Sequence, residues 1–205
     1  NKSYSQNYKD MAKFWSKLPV YSRMIELQSV IEKSQVVLIR SGTGSGKTVI
    51  VPKLALHIVN YGITPEFGYS GKVAVCMPKK IIAKDAAFYA AATLDVKIGE
   101  EVGYKHQNSS IDRGEVLVLG GRISASLYNK NSYDKEKTKL LYATDGSLEV
   151  ILSKYPALRD ELGNNLFDIV IVDEVHERNV RIDYILYLMK SALMINNSIK
   201  LILMS

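Results

Sequence analysis

Cysteine is almost absent from this 205-residue chain: Cys76 is the only one. That excludes an internal disulfide and fits a reducing, intracellular compartment, whether cytoplasm, nucleus or virion. Cys76 lies in the apolar run "KVAVCMP" with no histidine beside it in a nucleophile pattern, so it reads as a small core residue rather than a catalytic thiol. Long hydrophobic stretches are also missing. None approaches the ~20 residues needed to span a bilayer, and no membrane partner is expected. The opening "NKSYSQNYKDMAKFW" is polar and aromatic and has no signal-peptide pattern. Repeats and low-complexity linkers are absent. The first residue is Asn, and the last follows directly on the apolar run "KLILM"; both suggest a piece of a longer chain.

Apolar residues make up 47% of the sequence, the level of a globular protein rather than a disordered tail. The net charge of +6 favours polyanionic partners without requiring one. Short strand-like runs recur at 36–40 (VVLIR), 72–77 (KVAVCM), 115–120 (EVLVLG), 139–143 (KLLYA), 168–172 (DIVIV) and 200–204 (KLILM). Helical patterns fall between most of them: from "GSGKT" towards Tyr61, over about 79–93, about 146–154 and about 182–195. This alternation predicts an α/β fold, a mostly parallel sheet with helices on both faces. Ligands of such sheets bind beyond the carboxyl ends of the strands. Residues 1–17 read as an arm and 18–205 as one domain; the polar stretches 108–116 and 128–139 read as loops.

After the first run comes "SGTGSGKT", 41 to 48. Ser41, Gly42, Thr43, Gly44, Ser45 and Gly46 form a loop whose backbone can curl round an anion, and the loop opens a helix with free N–H groups. Lys47 supplies a charge for the β- and γ-phosphates, and Thr48 an oxygen for Mg²⁺. The strict phosphate-loop pattern asks for Gly where Ser41 stands, yet three glycines remain. The strand at 168–172 ends in "DEVHER". Asp173 suits Mg²⁺, Glu174 suits a water or the same ion, and His176 suits a hydrogen bond that reports nucleotide state. Alone, this motif could also be a helix start with acids favoured by the dipole.

Taken in order, these segments resemble the DEAH/DExH-box branch of superfamily-two RNA helicases. "SGTGSGKT" followed by "VPK" resembles motif I, "MPKKIIAKDAA" motif Ia, "YATDGSL" motif Ib, "DEVHER" motif II, and the closing "LILMS" the start of motif III. "LPVY" at 18–21 resembles the family's entry to the first strand, and "EEVGYKHQ" its E-x-V-G-Y segment. "LGGRIS" resembles the G-G element of DEAD-box relatives, though Gly121 and Arg122 read rather as a plain β-turn. Ser41 and Gly42 stand for the usual Gly-Glu, lysines stand for the arginines of motif Ia, and 108–139 is longer than the family pattern. Richness in Lys, Asn and Tyr suits an A·T-rich genome, as of a large DNA virus or a protist.

The resemblance implies the first RecA-like domain of an ATP-dependent RNA helicase, with motif III cut and the second RecA-like domain not included. It implies ATP and Mg²⁺ as cofactors, other NTPs being accepted, since no adenine-reading glutamine motif precedes the first strand and Gln28 reads as a helix-surface residue. It implies sequence-independent binding of single-stranded RNA through Pro78, Lys79, Lys80, Thr144 and Asp145, with Arg122 as a further candidate. "PKK" could instead be a solvated helix start, and "TDG" a helix cap. Two rival functions stay open: a translocase acting on DNA, and an RNA-binding module that does not hydrolyse NTP.

Overall fold

The computed structural model describes residues 3–62, 69–106, 116–118, 121–123, 136–177 and 179–205, the strands at 116–118 and 121–123 by their backbone alone. In chain order the elements are α1 (Gln6–Trp15), α2 (Met24–Lys33), β1 (Val36–Ile39), α3 (Lys47–His57), β2 (Val73–Met77), α4 (Lys80–Leu94), β3 (Val102–Lys105), β4 (Val116–Val118), β5 (Gly121–Ile123), β6 (Leu140–Thr144), α5 (Asp145–Lys154), β7 (Ile169–Val172), α6 (Val180–Ile195) and β8 (Lys200–Met204). Six strands form one parallel sheet in the order β1-β8-β7-β2-β6-β3.

The strands alternate between two cores because successive side chains leave opposite faces. Val73, Val75 and Met77 of β2 join Ile169 and Ile171 of β7 in a core shared with Ile31 of α2, Ile50 and Leu54 of α3 and Ala87 of α4. Ala74 and Cys76 face the other way, with Val170 and Val172, onto Leu148 and Leu152 of α5 and Ile185 and Met189 of α6. Burial on both faces explains the continuous apolar runs. Cys76 is a core residue, and burial pushes its thiol well above the ordinary range.

Three segments depart from the sequence reading. The run at 115–120 contributes β4, which stands outside the main sheet and pairs antiparallel with β5. Gly121 and Arg122 therefore lie on a strand rather than in a turn. The edge of the sheet opposite β1 is β3, from "VGYK", where a glycine and a lysine interrupt the apolar pattern. At the amino end, α1 is a capped helix: Ser5 Oγ accepts from Tyr8 N–H, and Ser5 N–H donates to Asp95 Oδ2 at the end of α4 (2.8 Å). No helix among the described residues is long and apolar enough to cross a membrane.

Candidate nucleotide and nucleic-acid site

Every parallel strand ends at the same rim, so the segments that follow them line up in sheet order. The loop 41–46 follows β1, Ser205 follows β8, Asp173 and Glu174 follow β7, Pro78 follows β2, and Asp145 follows β6. Backbone bonds knit this rim together. Ser41 N–H donates to Ser205 O (3.2 Å), Ser205 N–H to Ile39 O (3.1 Å), and Asp173 N–H to Cys76 O (3.1 Å).

Within the loop, Gly44 and Gly46 sit at φ +75° and +92°, which favour glycine, and Gly46 is the residue from which α3 starts. A Cβ on Gly46 would stand 2.7 Å from Leu18 Cδ1. Val20 N–H donates to Ser45 O (3.0 Å), so "LPVY" buttresses the loop from behind. Sequence reading gave Leu18 and Val20 no part in the site, because their approach to the loop depends on the turn after α1. Ser41 Oγ and Ser45 Oγ lie 2.7 Å apart. Lys47 Nζ folds back over the loop and donates to Ser41 O (2.6 Å) and more loosely to Gly42 O (3.4 Å). Thr43 is exposed at the tip of the loop.

The acid pair meets this loop directly. Thr48 Oγ1 donates to Asp173 Oδ2 at 2.7 Å, although 125 residues separate them. Asp173 is 1% exposed. Burial raises its pKa, against hydrogen bonds from Thr48 and from Glu174 N–H and attraction to Lys47, while Glu174 pushes it up further. Glu174 itself has φ +55°, a left-handed conformation costly for a residue with a Cβ, of order 1 kcal/mol or more. That sharp exit from β7 turns Glu174 out to a half-exposed position while Asp173 stays beneath. His176 Nδ1 lies 3.3 Å from both Glu174 Oε2 and Ser205 Oγ, so the histidine bridges the acid pair and the end of β8.

The candidate nucleic-acid residues differ among themselves. Pro78 is half-buried, and Lys79 and Lys80 are exposed at the start of α4. Lys79 Nζ is 4.0 Å from Glu177 Oε1. Thr144 is buried, and its hydroxyl donates to Ser147 Oγ (3.1 Å), so it is turned inward rather than to the rim. Asp145 Oδ1 accepts from Gly146 N–H and lies 3.6 Å from Arg181. The side chain of Arg122 falls outside the described residues. Gln28 lies on α2 and donates to Glu32, away from the loop.

Comparison with known proteins agrees with this geometry. A family profile described as "Type III restriction enzyme, res subunit" matches residues 11–202. The whole chain is 37% identical over 207 residues to a "Putative ATP-dependent RNA helicase L540" of Acanthamoeba polyphaga mimivirus, covering 25% of that protein. It is 33% identical over 189 residues to "ATP-dependent RNA helicase HrpA" of Borreliella burgdorferi, with 92% of this chain and 19% of that protein covered. It is 29% identical over 192 residues to "Probable ATP-dependent RNA helicase DHR2" of Saccharomyces cerevisiae, with 93% and 21% covered. The chain thus spans a quarter or less of the length of these relatives. A profile match over nearly its full length, on a parallel sheet with a phosphate loop and "DEVHER" at one rim, leaves one conclusion: the chain belongs to the type III restriction enzyme res-subunit family, as a RecA-like domain of the DExH-box superfamily-two helicase type.

Proposed function

We propose that this domain is the NTP-hydrolysing lobe of an RNA helicase, and that hydrolysis drives movement along single-stranded RNA. The observation that carries the reading is the Thr48–Asp173 bond, which joins a phosphate loop to a paired acid at one rim. Mg²⁺ suits this pair: both donors are hard oxygens, and Asp173 is a buried carboxyl, its pKa raised by burial, whose ionised form a cation would favour. Among the described residues no cluster of three or more His, Cys, Asp or Glu could hold a metal by itself. A site of one carboxylate and one hydroxyl suits an ion that keeps waters and takes phosphate oxygens. When bound, the ion neutralises charge building on the phosphates.

The chain's own groups do the rest. The loop N–H groups and the first turn of α3 hold the phosphates. Lys47 exchanges its carbonyl partners, Ser41 and Gly42, for phosphate oxygens. Glu174, more exposed than Asp173, orients and polarises the attacking water. His176 senses the outcome through Glu174 and Ser205. Lys79 and Lys80 supply charge to the RNA backbone beside Pro78, and Asp145 with the start of α5 flanks it. Thr144 contributes by shaping the turn, and Arg122 is a further candidate contact. A second RecA-like domain of the same polypeptide supplies arginines, on the order of 10³ or more in rate, so the lobe alone turns over slowly.

The test is Glu174→Gln in a protein carrying both lobes. Nucleotide affinity is expected to stay within about twofold, while RNA-stimulated turnover falls by about 10² or more, the typical weight of a positioned general base. Lys47→Ala is expected to weaken both. Wild-type turnover in Glu174→Gln would sink the assignment. Comparing stimulation by single-stranded RNA and DNA of equal length separates an RNA helicase from a DNA translocase, since phosphate contacts do not read the sugar.

A further inference from the structure

We propose that the cavity between α1, α3 and α4 is a binding site for a small aromatic carboxylate, its charged head held between Lys53 and Trp15. The cavity measures about 260 Å³ and lies on the flank of α3, away from the phosphate loop. Its walls are unusually aromatic. Tyr4 stacks on Tyr8 (4.2 Å between centroids), Tyr8 meets Trp15 edge-on (6.2 Å), and Trp15 meets Tyr21 edge-on (5.3 Å). His57 closes the wall contributed by α3.

Two hydrogen-bond donors in this lining have no acceptor among the described residues. Lys53 Nζ and Trp15 Nε1 are both buried and unpartnered, and the ammonium lies 4.7 Å from the centre of the Trp15 ring. Neighbouring orphan donors call for one acceptor group that reaches both. Among the described residues no aspartate or glutamate lines the cavity, so none of them supplies a counter-charge there. The contact with the indole face offsets only part of the cost of burying an ammonium. Burial holds Lys53 down to about 8, which leaves it mostly protonated at neutral pH. Water could accept from both donors but would not neutralise the charge, whereas a carboxylate does both. The flat walls then suit a ring behind that head, stacked or edge-on against tyrosine. The ligand would bridge α1 to α3, the helix that begins with Lys47 and Thr48.

Trp15 is the only tryptophan, so its fluorescence reports on this cavity alone. The probes are benzoate and its neutral isostere benzamide, added to this chain. Benzoate is expected to change the emission saturably and to raise the melting temperature. Benzamide should bind at least about tenfold more weakly, because it forfeits a charge-assisted bond. Lys53→Met should abolish the benzoate response without lowering the melting temperature of the ligand-free protein. Lys47→Ala, which removes the loop's own cation, should leave the response unchanged. The proposal is overturned if benzoate gives no saturable response, if benzamide binds equally well, or if Lys53→Met still binds benzoate. The benzoate–benzamide comparison needs no variant and decides the matter even where a substitution disturbs folding.

Discussion

At the scale of single residues, Lys53 shows how one buried charge shapes stability without taking part in chemistry. Its ordinary pKa of 10.5 falls to about 8 in the folded protein, through burial alone. Below pH 8 the folded and unfolded chains are both protonated, so stability carries the full desolvation penalty and does not vary with pH on this account. Between about 8 and 10.5 the folded protein releases a proton that the unfolded chain keeps. The unfolded state then binds more protons, so stability rises with pH until both forms are neutral. The shift corresponds to about 3 kcal/mol at most. The expected result is that Lys53→Met is more stable than wild type near pH 7, and that its advantage shrinks by up to about 3 kcal/mol towards pH 10.5. Urea unfolding of both proteins across that range measures it. The tyrosines and His57 lining the same cavity are present in both and cancel in the difference. A constant difference would show that the ammonium stays hydrated.

At the scale of elements, the start of the sheet depends on one carboxylate. Asp168, just before β7, is 1% exposed and accepts from the backbone N–H groups of Ser70, Gly71 and Lys72 at the entry to β2 and from Asn165 Nδ2. Its own backbone bonds Lys72 O and Lys200 N–H, so β2, β7 and β8 are fixed in register at one point. Asp168→Ala leaves several half-buried N–H groups without this acceptor and is expected to cost about 3 kcal/mol in chemical denaturation, with Asp168→Asn costing less. Strands such as β7, apolar on both faces, were plain in the sequence, as were α3 to α6 to within a few residues. The parts that were not plain had a physical reason. β3 is only four residues long, and Gly103 and Lys105 alternate with Val102 and Tyr104, so no continuous apolar run marked it although its first three residues are buried. α1 has no fully buried residue, and although Tyr8, Met11, Ala12 and Trp15 recur at helical spacing, they fall in a polar opening segment that reads as an arm. The phosphate loop and the acid pair could be read from residue types and spacing. Leu18, Val20 and the Ser205 contact with His176 could not, because each is a meeting of distant segments that only the folded chain creates.

At the scale of the whole molecule, the segment carrying the acid pair is also tied to both candidate nucleic-acid segments. Lys79 at the start of α4 lies 4.0 Å from Glu177, and Arg181 on α6 reaches Glu149 (3.0 Å) and Asp145 (3.6 Å) on α5. Lys79 and Arg181 are each half or more exposed, so these pairs contribute little to stability, within about 1 kcal/mol. Their value lies in position. On the proposed function, charge brought by an RNA backbone near Lys79 would compete with Glu177, and a shift of α5 would pull on Arg181, three and seven residues beyond Glu174. In the helicase reading, Arg181→Ala is therefore expected to lower RNA-stimulated NTP turnover several-fold. RNA-free turnover and the melting temperature should hardly change. The ratio of stimulated to unstimulated rate, measured on a protein carrying both lobes, is the decisive quantity. A parallel loss of both rates would mean that Arg181 supports the acid pair directly. An unchanged ratio would mean that the two ends of the rim communicate by another route, with the His176–Ser205 contact the next to be severed.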